Sequence, residues 1–117
     1  VPSPKRLTRA ADLLMVRREG KRVRTPLLEV RVLASLLRHH RLGLVVPRHK
    51  HTAVDRNRLK RRLRELMRET WSVPLAGVSP ADVVLYALPS AYAVDFDALR
   101  SELTVLATRL TKQVSAA

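Results

Sequence analysis

Apolar residues recur along the chain in two rhythms. From Leu27 to Ala34 they alternate, with Leu28, Val30 and Val32 pointing one way and Glu29, Arg31 and Leu33 the other, which predicts a half-buried strand. The branched run Leu42-Gly-Leu-Val-Val-Pro47 predicts a second strand that Pro47 ends or bends. Asp82 to Leu88 predicts a third, closed by Pro89, and a further short strand fits Lys21 to Arg24. Elsewhere the spacing is three and four. Thr8 is placed to cap a helix over about 9 to 19, anchored by Leu13, Leu14 and Val16 and stopped by Gly20. Asp55 is placed to cap a second helix over about 56 to 70. Asp95 opens a third, with Phe96, Leu99, Leu103, Leu106 and Leu110 on one face. Residues 72 to 81, with Pro74, Gly77 and Pro80, read as a loop, and residues 1 to 7 and 113 to 117 as flexible ends. The order αβββαβα predicts a single α/β domain over 1–117, a small mixed sheet packed with three helices.

The second helix changes the picture. At 100° per residue, Leu59, Leu63, Leu66 and Met67 gather within roughly 100° of arc, which makes that side the buried one. Opposite lies a stripe of Asn57, Arg61, Arg64 and Arg68, flanked by Arg58, Lys60 and Arg62. Over residues 56 to 69, seven basic side chains face two acidic ones, so internal ion pairing cannot neutralise the stripe. Arginine suits a phosphate backbone because its planar fork grips two oxygens and stacks on unpaired bases. Asn57 adds a donor and an acceptor for a base edge or a 2′-OH. Arg48 and Lys50, in the polar connector just before the helix, extend the same positive surface.

Composition points the same way. The chain has 23 Lys and Arg against 10 Asp and Glu, a net charge of +13 that calls for a polyanionic partner. Cysteine is absent, which excludes disulfides and thiolate zinc sites. No apolar run reaches the length of a spanning helix, and the basic N-terminal residues are followed by no apolar signal region, so a cytoplasmic address without membrane contact is expected.

The run Arg56-Asn-Arg-Leu-Lys-Arg-Arg-Leu-Arg-Glu65 resembles the signature of bacterial ribonuclease P proteins, in which an Arg-Asn-Arg triplet begins a basic helix after a strand. Arg6-Leu7 through Gly20-Lys-Arg-Val23, Arg41-Leu-Gly-Leu-Val-Val46, and Asp82-Val-Val-Leu-Tyr-Ala87 with the helix from Asp95 resemble the rest of that family in order, over about residues 5 to 112. The resemblance implies an α/β sandwich with a left-handed strand-helix-strand crossover. It also implies a subunit that assists a catalytic RNA in removing the 5′ leader of precursor tRNA, with Mg²⁺ bound mainly through the RNA and no obligate protein partner.

By this likeness Arg56, Asn57, Arg58, Lys60, Arg61 and Arg62 contact the RNA subunit, and Arg64, Arg68, Arg48 and Lys50 join them on the same surface. The first helix and the open sheet face are expected to hold the leader, through Arg9, Leu13, Arg17 and Arg31. Family members commonly carry aromatic residues where Leu13, Arg17 and Arg31 stand, so either the planes of Arg17 and Arg31 take the place of rings or each has an ordinary surface role. Lys50-His51 stands where the family usually has an apolar residue and a glycine.

Other chemistries fit less well. His39, His40, His49 and His51 supply four imidazoles, yet no neighbouring carboxylate or cysteine completes a metal shell, and phosphate donation suits them better. A protein-only nuclease needs paired carboxylates or a His and Lys base at a phosphate, whereas the acids are scattered, so no catalytic residue is assigned to the chain. A membrane-surface helix would need Trp or Phe wedges on the apolar face of the basic helix. A general nucleic-acid-binding or ribosomal-type module is the remaining alternative.

Overall fold

The computed structural model describes residues 5–115. Strands β1 (Lys5–Arg6), β2 (Lys21–Arg24), β3 (Leu28–Ala34), β4 (Arg41–Val45) and β5 (Ala81–Ala87) form one mixed sheet in the order β1-β4-β5-β3-β2. Helices α1 (Ala10–Glu19), α2 (Ala53–Ala76) and α3 (Phe96–Ser115) pack on it, with a 3₁₀ turn at Pro89–Ala93. β4 runs parallel to both β1 and β5, and α2 makes the connection between the parallel neighbours β4 and β5. β3 is antiparallel to β5 and β2. Among the described residues no helix is long and apolar enough to cross a membrane.

The alternation in β3 is that of a strand with unlike faces. Leu28, Val30 and Val32 join Val83, Leu85 and Ala87 of β5 beneath α2 and α3, in the larger of two cores. The opposite face carries a smaller core of Leu7, Val16 and Val84 under α1, with Leu13, Leu33, Val45 and Tyr86 packed around it. β5 is central and buried on both faces, which is why its sequence reads as a nearly unbroken apolar run. α1 can lie close because β4 carries Gly43: a Cβ there would sit 3.0 Å from the Leu13 side chain and from the Leu7 carbonyl oxygen. At the edge of this smaller core the Arg41 guanidinium bonds both carboxylate oxygens of buried Asp82, at 2.8 and 2.7 Å, and reaches Asp12 of α1 at 3.3 Å. These bonds, the one to Asp82 foremost, raise the Arg41 pKa still further.

Several expected boundaries move, each for a local reason. Lys5 and Arg6 are not part of a free arm but pair with Arg41 and Leu42, because Leu7 is buried and its N–H donates to the Leu42 carbonyl. Residues 1 to 4 lie outside the described ones. Thr8 does not cap α1: the capping position is Arg9, without a side-chain bond. Asp55 does not cap α2 either. The cap is Thr52, whose hydroxyl accepts from the Asp55 N–H at 3.1 Å, so the helix starts three residues early with Asp55 in its first turn.

α2 also continues past residue 70, through Pro74 to Ala76, so the expected loop over 72 to 81 shrinks to four residues. An interior proline costs a helix about 3 kcal/mol, but burying Trp71 and Leu75 together contributes roughly 3–6 kcal/mol. Trp71 also donates its indole N–H to the Leu103 carbonyl of α3 at 2.9 Å. At the other end of the chain, α3 stays helical through Ser115, held by buried Val114, where fraying from Gln113 was expected. Residues 116 and 117 lie outside the described ones.

Candidate nucleic-acid interface

α2 turns two chemically opposite faces to its surroundings. Leu59, Leu63, Leu66 and Met67 are buried in the main core, while Asn57, Arg58, Arg61, Arg62, Arg64 and Arg68 are exposed, as the 3.6-residue period requires. Among the described residues, Arg58, Arg61, Arg62 and Arg64 have no carboxylate within 4.0 Å, and Glu65 reaches only Arg68, at 3.6 Å. The stripe is therefore an open row of guanidiniums on a rigid element.

Arg56 differs from its neighbours. It is half-buried, and its Nε donates to the Val46 carbonyl, which ties the first turn of α2 to the end of β4 and leaves the remaining guanidinium N–H groups for a partner. Lys60, also half-buried, has its pKa lowered by burial and by the adjacent charges of Arg56 and Arg64. Such crowding of like charge is relieved when an anion arrives.

One flank of the stripe borders a groove of about 820 Å³, lined on the α2 side by Arg56, Lys60, Arg61, Arg64 and Arg68 and on the sheet side by Lys5 and Arg6 of β1. Leu42, Leu44 and Met67 are among its apolar lining. Lys5 and Arg6 were missed from sequence, because a two-residue strand has no periodicity to reveal it. Arg48 and Lys50 are exposed in the connector before α2. There His49 and Lys50 adopt φ of 49° and 72°, left-handed backbone that residues other than glycine rarely take, just before His51, where the family usually has its glycine.

The residues expected at the leader divide into separate places. Arg17 and Arg31 come together: Arg31 Nη1 donates to the Arg17 carbonyl at 3.1 Å, and the Arg17 guanidinium lies 5.9 Å from the centre of the Tyr86 ring. Arg31 is in addition held by Glu29 at 3.4 Å. Tyr86, whose pKa is raised mainly by burial, was missed as a member of this face. Its signal lay in the alternation of β5, which puts residues 82, 84 and 86 on the side of α1. Leu13 packs into the core under α1 and borders the α2 groove instead, and Arg9 stands at the far end of α1, about 12 Å of helix from Arg17.

Of the four imidazoles, His40 has a structural role and is not a phosphate donor. Its Nδ1 accepts from the Ala81 N–H at 3.0 Å and its Nε2 donates to the Leu75 carbonyl at 2.6 Å, joining the end of α2 to the start of β5.

A mixed sheet with a helix whose outer face is an unneutralised row of arginines defines a small protein of the polyanion-binding class. The family model for Ribonuclease P matches residues 1–111. The chain belongs to the ribonuclease P protein family. The ribonuclease P protein component of Streptomyces avermitilis is 35% identical over 120 residues, covering 94% of each chain. That of Acidothermus cellulolyticus is 36% identical over 114 residues, covering 96% of this chain and 92% of the relative. That of Syntrophobacter fumaroxidans is 49% identical over 63 residues, 54% of this chain and 53% of the relative. Among solved structures, the RNase P protein of Thermotoga maritima superposes with a TM-score of 0.75 at 29% identity, covering 90% of this chain and 96% of the other. That of Staphylococcus aureus gives 0.77 at 23% identity, covering 93% and 96%.

Proposed function

We propose that the chain binds the RNA subunit of ribonuclease P through the exposed face of α2 and presents the face between α1 and the sheet to the 5′ leader of precursor tRNA. The observation that carries this is the division of α2 into a buried leucine face and an open arginine face, beside a groove whose opposite wall is also cationic. In this arrangement Arg58, Arg61, Arg62 and Arg64 neutralise phosphates, with Arg68, Lys60 and the connector residues Arg48 and Lys50 beside them, Asn57 meets a base edge or a 2′-OH, and Arg56 both anchors the helix and contacts RNA.

Arg17 and Arg31, with Tyr86 between the strands, provide flat cationic and aromatic surfaces against which an extended single strand can lie. Mg²⁺, held mainly by the RNA, would supply the activated water for cleavage. Asp12 and Asp82 converge on Arg41, and Glu69 and Asp97 converge on Arg100, so each pair is held by a guanidinium and not left free for a metal. The chain's own contribution is to lower the repulsion between two RNA molecules and to orient the leader. Reconstitution tests this: added to a bacterial ribonuclease P RNA at low Mg²⁺, the chain accelerates cleavage of precursor tRNA at the mature 5′ end. Absence of any gain over RNA alone rejects it.

A further inference from the structure

Arg58 and Arg62, one helical turn apart, line a second and smaller cavity of about 280 Å³. Its other wall is aromatic. The His51 imidazole stacks on the Tyr92 ring at 3.9 Å between centres and 5° between planes, and His49 meets the same ring edge-on at 6.3 Å and 85°. Tyr92 is held by donating its hydroxyl to the Pro47 carbonyl at 2.6 Å, and His51 Nδ1 lies 3.6 Å from Asp55.

The backbone that carries His51 onto Tyr92 passes through left-handed φ at His49 and Lys50, which side chains other than glycine rarely adopt. Backbone of this kind persists where surrounding contacts over-determine it, and such places gather at ligand sites. His51 is exposed and fills no core, so packing gives no reason for a stacked imidazole there.

We propose that this cavity binds one unpaired nucleotide of the RNA partner, with its base stacked against the His51–Tyr92 pair and its phosphate held by Arg58 and Arg62. The inference rests on α2 docking on RNA and adds a base-reading point to a surface otherwise made of phosphate contacts. Asp55 lies beside the imidazole edge, 3.6 Å from Nδ1, and its negative charge keeps the phosphate on the arginine side of the cavity. Stacking on aromatic planes tolerates any base, so the site selects an unpaired nucleotide rather than a sequence.

The test uses the full chain titrated with AMP and, separately, with ribose 5-phosphate at matched ionic strength, following the His51 ring protons by NMR. AMP is expected to bind about tenfold more tightly than ribose 5-phosphate and to move the His51 ring protons upfield. His51→Ala removes the preference and leaves phosphate binding, His51→Trp keeps the preference, and Arg58→Ala with Arg62→Ala weakens both ligands. Equal affinities in the unaltered chain, which need no variant to fold, overturn the proposal. So does an AMP preference that survives His51→Ala. Gel shift of the same preparation with ribonuclease P RNA separates the two ideas. If the RNA is bound but AMP is not preferred, only the base site is wrong; if the RNA is not bound, docking and base site fall together.

Discussion

Arg56 and Asp55 are neighbours at the foot of the basic helix, and each does something its residue type did not announce. Arg56 belongs to the signature run, yet its Nε is engaged with the Val46 carbonyl, so its loss removes a joint between β4 and α2 as well as a positive charge. Asp55 looked like a cap because aspartate before an apolar period usually is one. Thr52 takes that position, and Asp55 returns the bond from the first turn. Hydrogen bonds from Thr52 hold the Asp55 carboxyl below the usual carboxylate range, with His51 adding a smaller effect in the same direction. A depressed folded-state pKa means that the stabilisation is complete above the unfolded value of about 3.9 and is lost as pH falls through the folded value. Thermal melts are therefore expected to show Tm dropping on acidification below about pH 4, and less steeply in Asp55→Asn. Thr52→Ala, measured by urea unfolding at neutral pH, is expected to cost about 1 kcal/mol.

At the scale of the element, α2 shows what was legible and what was not. Its two faces were readable because they depend only on the 3.6-residue period, and the structure buries the leucines that the period selects. Its ends were not, because a cap and a proline are local signals that distant contacts override. Trp71 decides the C-terminal end by packing against α3, more than thirty residues further along the chain, and nothing near Pro74 encodes that. Trp71→Ala is expected to destabilise the chain by about 3–5 kcal/mol, read from the urea midpoint, and to shorten the helix as seen by circular dichroism. The exposed face answers to a different measurement. Arg61→Ala with Arg64→Ala should leave the urea midpoint nearly unchanged while flattening the dependence of RNA affinity on salt, each lost phosphate contact removing about 0.7–0.9 from the log-log slope. An unchanged slope would show that these guanidiniums touch no phosphate.

For the whole molecule, the sheet separates two jobs. α2 and α3 pack on one face, and α1 packs on the other against the smaller core. The sequence order of the elements was enough to predict a mixed sheet with three helices, and β2 was anticipated, but the strand order was not, since pairing across the chain leaves no mark in a single sequence. The residues expected at the leader suffered most from this. Arg17 and Arg31 were grouped with Leu13 and Arg9 by likeness, and only the register of β3 against β5 shows that Tyr86 is their neighbour. Arg17→Ala with Arg31→Ala is expected to weaken binding of leader-bearing precursor by the reconstituted enzyme while leaving mature tRNA unaffected, as measured by competition. Equal weakening of both would move the leader to another surface.

Among the described residues the sheet ends in β1 on one side and β2 on the other, and both strands are written in cations: Lys5 and Arg6, then Lys21, Arg22 and Arg24. An unpaired strand edge is an invitation for another copy to add on, and like charges along it withdraw that invitation. The positive coat that suits the chain to a nucleic acid is thus expected to discourage pairing of its own copies edge to edge.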